Sequence, residues 1–338
     1  PYRKVLTHGF VLDEKGYKMS KSLGNVVARN EVIDKQGADL LRLGIVSADY
    51  SDDMRIGKEI LKQQEDIYRR LRNTLRYLLG ALDGYSEAEA IDLKDMPELE
   101  QWVFHKLAEL QDLHDRSLQA FDLTSFYYAL HNFCASDLSA FYFDIRKDCL
   151  YCDPMTNSRR KATRTTMHHI FDHLIHWLAP VLSFTAEEAF LTRYGKTGDS
   201  IHLKQFPTIG DNWTNPDLAA KWDKLRHCRR VITGALEVER AAKTIGSSLQ
   251  AHVTIFATTA MADFLNQFDM AEVGITSTAI ITIAQSPAQA FTLEDVTDIG
   301  VVVSAAEGDK CVRCWRVLPE VSNHEHSLCT RCDEAITA

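Results

Sequence analysis

Four cysteines near the end of the chain constrain its fold more tightly than anything else in it. Cys311-Val312-Arg313-Cys314 and Cys329-Thr330-Arg331-Cys332 are two CxxC knuckles separated by 14 residues. Each knuckle lets two thiolates converge on one ion, and four thiolates complete a closed tetrahedral site. The chain has eight cysteines, and no secretory signal opens it. This places it in a reducing, cytoplasmic compartment, where clustered cysteines read as metal ligands before disulfides. Two evenly paired knuckles suit one structural Zn2+ rather than an iron–sulfur cluster. A closed four-sulfur site has no open position, so its role is to fold a tail too short for its own core. His324 and His326 lie between the knuckles and are spare ligands. Cys149-Leu150-Tyr151-Cys152 has no partner pair and reads as two ordinary cysteines at a helix end. Cys134 and Cys228 read as isolated thiols.

Upstream the dominant period is helical. Ile56, Ile60, Ile67, Leu71, Leu75 and Leu78 recur every three or four residues, which places them on one stripe. Leu99, Trp102, Val103, Leu107 and Leu110 mark a second helix. Leu123, Phe126, Tyr127, Leu130 and Phe133 mark another, and Leu138, Phe141, Tyr142 and Ile145 extend it. Ile170, Leu174 and Trp177 precede Pro180. Helices with one apolar stripe each must pack together, as in a bundle. Residues 80–97 are acidic and turn-rich and read as a linker, and 200–216 read as a loop. One more helix covers about 217–243. Beyond Gly246 the period changes: 251–256, 278–283 and 299–303 read as strands, with a helix near 260–268, making a small α/β module.

The start differs again. Pro1 opens an apolar, strand-like run through Val11, then Asp13-Glu14-Lys15-Gly16 turns, and Asn25 is placed to cap a following helix. A start without Met inside a strand reads as a fragment. Between turn and helix lies Lys18-Met19-Ser20-Lys21-Ser22. Two lysines separated by small or flexible residues make a mobile cationic loop. Such a loop closes over a polyphosphate and neutralises charge on a leaving pyrophosphate. Lysine serves as a point charge on a flexible stem, while serines let backbone approach the nucleotide.

This string matches the KMSKS signature, and the chain resembles the class I aminoacyl-tRNA synthetases, their isoleucine-specific members above all. His8-Gly9-Phe10-Val11 resembles the strand leading into the signature, and Ser47 to Asp53 the segment just beyond it. Trp102 and Phe141-Tyr142-Phe143-Asp144 resemble the family's helical anticodon-binding bundle. The cysteine tail with Trp315 and Arg316 resembles the zinc module that ends bacterial isoleucine enzymes. The resemblance implies ATP-phosphate contact by Lys18 and Lys21, with Ser20 and Ser22 in the same loop. It also implies backbone near the adenine at Met19, ATP with Mg2+ and isoleucine as substrates, and isoleucine-accepting tRNA as partner. The family's second nucleotide signature, His-x-Gly-His, occurs nowhere. The editing domain is missing too; isoleucine against valine is the standard worked example of a pair that binding alone separates too little, so that editing is needed.

The expected fold is therefore mainly α, in four parts. Residues 1–54 end a Rossmann-type catalytic domain, 55–210 form the anticodon-binding bundle, 211–305 a helix plus α/β module, and 306–338 the zinc-binding tail. The formal charge of −9 (38 Lys and Arg, 47 Asp and Glu) excludes a uniformly basic RNA-binding body. RNA contact then rests on local patches: Lys15, Lys18 and Lys21; Arg69, Arg70, Arg72 and Arg76; Arg159-Arg160-Lys161 with Arg164. Arg313, Arg316 and Arg331 are either RNA contacts or solvated charges. No run reaches the ~20 apolar residues of a membrane helix, and a monomer is expected. The alternatives are a valine or leucine enzyme of the same group, or a non-catalytic RNA-binding protein built from synthetase modules.

Overall fold

The computed structural model describes residues 2–195, 198–324 and 326–337. In chain order the main elements are β1 (Val11–Leu12), α1 (Arg29–Gln36), α2 (Ala38–Val46), β2 (Met54–Arg55), α3 (Lys58–Ala81), α4 (Glu98–Ala120) and α5 (Leu123–Asn132). A wide-turned helical stretch, Phe133–Tyr142, leads directly into α6 (Phe143–Cys152). Then come α7 (Ser158–Leu178), α8 (Ser183–Tyr194), α9 (Pro216–Ala241), β3 (Ala251–Ala257), α10 (Thr259–Leu265), α11 (Met270–Gly274) and β4 (Thr278–Ile283). The end holds β5 (Phe291–Leu293), β6 (Val296–Ala305), β7 (Asp309–Lys310), β8 (Val317–Leu318) and α12 (Thr330–Thr337). No helix among the described residues is long and apolar enough to cross a membrane.

The chain forms two compact units, one of residues 1–90, 103–140 and 164–214, the other of 91–102, 141–163 and 215–338. The first unit is helical, and the sequence stripes face its core: Leu71, Leu75, Leu78, Leu107, Leu130, Leu174 and Trp177 are all buried. Polar side chains set the angles between helices. The buried Asp39 on α2 accepts from the Thr185 amide at 2.8 Å and its hydroxyl at 2.7 Å, capping the start of α8. Tyr127 donates to the Trp177 carbonyl at 2.8 Å, near the end of α7. Within the expected linker, 80–97, the first compact unit ends at Ala90, and residues 80–90 pack closely against it. Tyr85 lies 5.1 Å from the His168 ring, and Glu89 takes a 3.1 Å ion pair from Arg164. The expected loop near 213 is likewise pinned, with Trp213 edge-on to Phe104 at 4.5 Å.

The strand expected before Val11 does not form. Only Val11 and Leu12 find a partner, pairing parallel with Met54 and Arg55. Tyr2, Val5, Leu6 and Phe10 stay at least half exposed, because a strand needs a neighbour for its amides and, among the described residues, only Gly9 and Phe10 of this run bond to one, at Tyr50, Asp53 and Met54.

In the second unit α9 lies on a four-stranded sheet of order β4-β3-β6-β5. β3 and β4 are parallel, joined over the sheet by α10 and α11, and β6 runs antiparallel to β3. The short β5, absent from the sequence reading, forms a hairpin with β6. Gly234 lets α9 approach it: a Cβ there would sit 2.5 Å from the Phe291 ring. The same unit holds a buried ion pair. Glu100, with no exposure, accepts from Arg146 Nε and Nη2 at 2.6 Å each, and from Tyr142 and Thr163 at 3.1 Å. Burial alone would lower the Arg146 guanidinium, but the Glu100 carboxylate outweighs it and holds it above its ordinary value.

Removing one partner of such a pair leaves a buried charge alone, at about 3–5 kcal/mol. Glu100→Ala should therefore unfold at clearly lower urea, by roughly that amount. A loss below about 1 kcal/mol would show the pair to be dispensable.

Candidate nucleotide loop and metal centre

The cationic loop is built by short-range bonds that the sequence supplies locally. Asp13 accepts from the Lys15 and Tyr17 amides at 3.0 and 2.8 Å, so the chain turns back and Lys18 bridges antiparallel to Leu12. Ser20 caps a single helical turn, Lys21–Leu23, by accepting from the Leu23 amide, and Gly24 closes it in the left-handed region at φ 64°. The Ser20 and Ser22 hydroxyls are 3.1 Å apart. The Met19 sulfur lies 3.5 Å from the Val27 amide and anchors the loop on its inner side.

Asn25 does not cap α1 as expected. Its side chain instead staples the loop's base, accepting from the Ser20 amide at 2.9 Å and donating to Asp13 at 2.9 Å and to the Lys18 carbonyl at 3.2 Å. The helix start falls at Ala28 without a side-chain cap, three residues too late for Asn25 to reach. Donation from Asn25, then from the Tyr17 and Lys15 amides, holds the Asp13 carboxyl below the ordinary carboxylate range. Lys18 and Lys21 are exposed and make no ion pair among the described residues. The loop thus presents two free cations from a stapled base. Behind it, Gly9 and Phe10 bond to Tyr50 and Asp53, so the two segments flanking the signature meet in space.

The four tail cysteines converge as their spacing requires. Their sulfurs all lie within 4.8 Å of one another, and all four residues are buried. The Cys314 and Cys329 sulfurs are 3.8 Å apart. That is far beyond a disulfide bond and matches the edge of a tetrahedron with Zn–S bonds of ~2.3 Å, which is about 3.8 Å. The β7–β8 hairpin carries the first knuckle, where the Cys311 carbonyl accepts from the Trp315 amide at 2.9 Å. The start of α12 carries the second, where the Cys329 carbonyl accepts from the Cys332 amide, also at 2.9 Å. Burial opposes ionisation of Cys311, but the amides of Cys314, Cys329 and Arg313 bring its thiol down to about 6. Burial pushes Cys329 up to about 11, with repulsion from Cys332 adding to it. A cation among the sulfurs removes that repulsion, so the donor set fits a soft divalent ion. His324 and His326 stay outside the cluster, His324 lying 3.5 Å from Asp333.

Residues 100–255 match the family model described as the anticodon-binding domain of tRNA ligase, and 1–57 that of tRNA synthetases class I (I, L, M and V). Residues 308–335 match the zinc finger found in FPG and IleRS. The isoleucine–tRNA ligase of Ruegeria pomeroyi is 49% identical over 99% of this chain and 35% of its own length. Those of Gluconobacter oxydans and Mesorhizobium japonicum are 48% and 49% identical, over 100% and 95% of this chain and 34% and 32% of theirs. The chain belongs to the isoleucine–tRNA ligase family. It spans about a third of the length of the curated relatives it matches.

Two of the expected patches in this chain turn inward. Arg159 pairs with Asp153 at 2.8 Å and Glu272 at 3.0 Å, Arg160 donates to the Leu150 carbonyl at 3.1 Å, and Arg164 is buried against Glu89. These three act as struts, and with Lys161 half-buried the stretch 159–164 is largely turned into the fold. Arg313, Arg316 and Arg331 are likewise half-buried and paired, being bonded to α6 and to the Ser277 carbonyl. On α3, Arg69 and Arg72 pair with Asp66 and Glu188, while Arg70 and Arg76 remain exposed. Cys134, Cys149 and Cys228 are buried thiols; Cys152 packs beside the four-cysteine cluster, a placement its sequence spacing did not signal.

Because Asn25 makes three bonds at the loop base, Asn25→Ala should speed amide exchange or limited proteolysis across residues 18–24 by roughly tenfold. Unchanged exchange there would show that the loop is held by Ser20 and Gly24 alone.

Proposed function

We propose that this chain supplies the phosphate-binding loop, the tRNA-binding bundle and the zinc-held tail of an enzyme that activates isoleucine with ATP and joins it to its tRNA. The observation that carries this is the pair of unpaired cations, Lys18 and Lys21, on a stapled KMSKS loop within a chain alignable almost end to end with isoleucine–tRNA ligases. In this reading both ammonium groups gather the phosphates of ATP with its Mg2+. Lys21, on the one-turn helix, follows charge onto the departing pyrophosphate. Met19 backbone borders the adenine, and the Ser20 and Ser22 hydroxyls complete the loop's donor set.

Residues 1–54 serve as the end of the catalytic domain, 55–210 as the anticodon-binding bundle, 211–305 as the connecting α/β module and 306–338 as the metal tail. Cys311, Cys314, Cys329 and Cys332 would hold one Zn2+, which when bound supplies a fixed, closed cross-link and no reactive position. The zinc-finger match and the isoleucine-specific relatives support isoleucine over valine or leucine. Both candidate sites are built from one chain, which supports a monomer, and buried free thiols suit the cytoplasm.

Lacking a His-x-Gly-His sequence, the chain by itself should give no isoleucine-dependent pyrophosphate exchange. Measurable exchange would overturn the assignment of activation to residues outside it. It should nevertheless bind isoleucine-accepting tRNA, and changing the anticodon should weaken binding by about tenfold or more, the scale of losing one stacked base. Binding equal across isoleucine, valine and leucine tRNAs, and falling with salt alone, would come from phosphates only and remove the specificity claim.

A further inference from the structure

Each knuckle of the metal module carries an arginine at its third position, and both arginines leave the module for the same turn of α6. Arg313, between Cys311 and Cys314, donates to the carbonyls of Cys152 and, at 3.1 Å, Tyr151. These belong to the last carbonyls of a helix, which have no partner inside it. Arg331, between Cys329 and Cys332, donates to Asp148 Oδ1 at 2.8 Å and lies 3.5 Å from the buried Asp153. The Cys152 side chain is buried in the same cluster as the four metal-site cysteines. A third strut, Arg316, reaches the Ser277 carbonyl at 2.6 Å and orients β8 instead of α6.

A four-residue knuckle holds one shape only while both its thiolates share an ion, so the aim of an arginine inside it depends on that ion. Within the bundle the helix end is held by Arg159 on Asp153 and Arg160 on the Leu150 carbonyl, while Tyr151 is 65% exposed and Met155 68%. We propose that Arg313 and Arg331 are positioning residues that latch the end of α6 and the turn into α7, residues 148–158, to the metal module, so that metal loading orders this corner. The corner lies within the stretch matched by the anticodon-binding model, so metal occupancy would set the shape of part of the bundle as well as of the tail. This rests on the proposed zinc site.

The test is hydrogen exchange of the full chain, loaded with Zn2+ and then stripped with a chelator, with metal counted by a chromogenic dye. On stripping, peptides covering Cys149–Asp153 should exchange about tenfold faster while those of α3 do not change. In the Arg313→Ala/Arg331→Ala variant one zinc per chain should remain, yet the α6 end should exchange as fast as in stripped protein. Arg331→Lys, which keeps the charge but not the fork, should restore part of the protection. Equal protection of the α6 end with and without metal would overturn the latch, as would full protection in the loaded double variant. If that variant does not fold, the native comparison decides alone. A chain that takes up no zinc would instead overturn the metal site itself.

Discussion

Glu100 is the hinge on which the second unit depends. A fully buried carboxylate is tolerated only where its charge is matched and its lone pairs are taken, since desolvation otherwise outweighs the Coulomb gain. Here the Arg146 fork takes both oxygens and two hydroxyls complete the shell. Arg146 still has a nitrogen for Glu272, at 2.8 Å, and Glu272 receives Arg159, which holds Asp153. Asp153 lies in turn beside Arg331 of the metal tail. One chain of alternating charge therefore runs from α4 through α6 and α11 to the metal module. It specifies a geometry that apolar packing alone, being non-directional, would not.

The two candidate sites solve opposite problems. The cationic loop must stay mobile at its tip and firm at its base, and short polar side chains achieve this: Asp13, Ser20 and Asn25 bond backbone within twelve residues of one another. Its lysines are left without a carboxylate partner among the described residues, which in the proposed reading keeps them available to phosphate. The metal tail has too little apolar material to fold, with Val321 and Leu328 its main buried hydrophobes. In the zinc-held reading an ion between four thiolates would take the place of a core.

Legibility followed locality. The helical stripes, the KMSKS loop and the two knuckles all depend on spacing along the chain, and they landed close to where their spacing pointed, except that Ile56 falls just before α3 starts at Lys58. The failures involve partners distant in sequence. The run before Val11 has strand composition, but pairing needs a neighbour that the run itself does not encode. Asn25 stands where a cap is expected, yet Asp13, twelve residues earlier, claims its amide. Arg159, Arg160 and Arg164 read as a patch because a sequence displays charge and conceals what faces it. Cys152 looked like an idle half of a knuckle until the fold set it beside four thiols 159 to 180 residues away, the separations of 311 and 332 from 152.

By itself the sequence determined the helical class, the cationic loop and the four-cysteine cluster, because period and ligand spacing are one-dimensional quantities that local geometry converts directly into structure. Only the tertiary structure decided which charges are surface and which are struts, what the loop's base is tied to, and that the tail's arginines grip α6. Those outcomes depend on which groups meet after collapse, and burial turns each meeting into either an uncompensated charge or a bond.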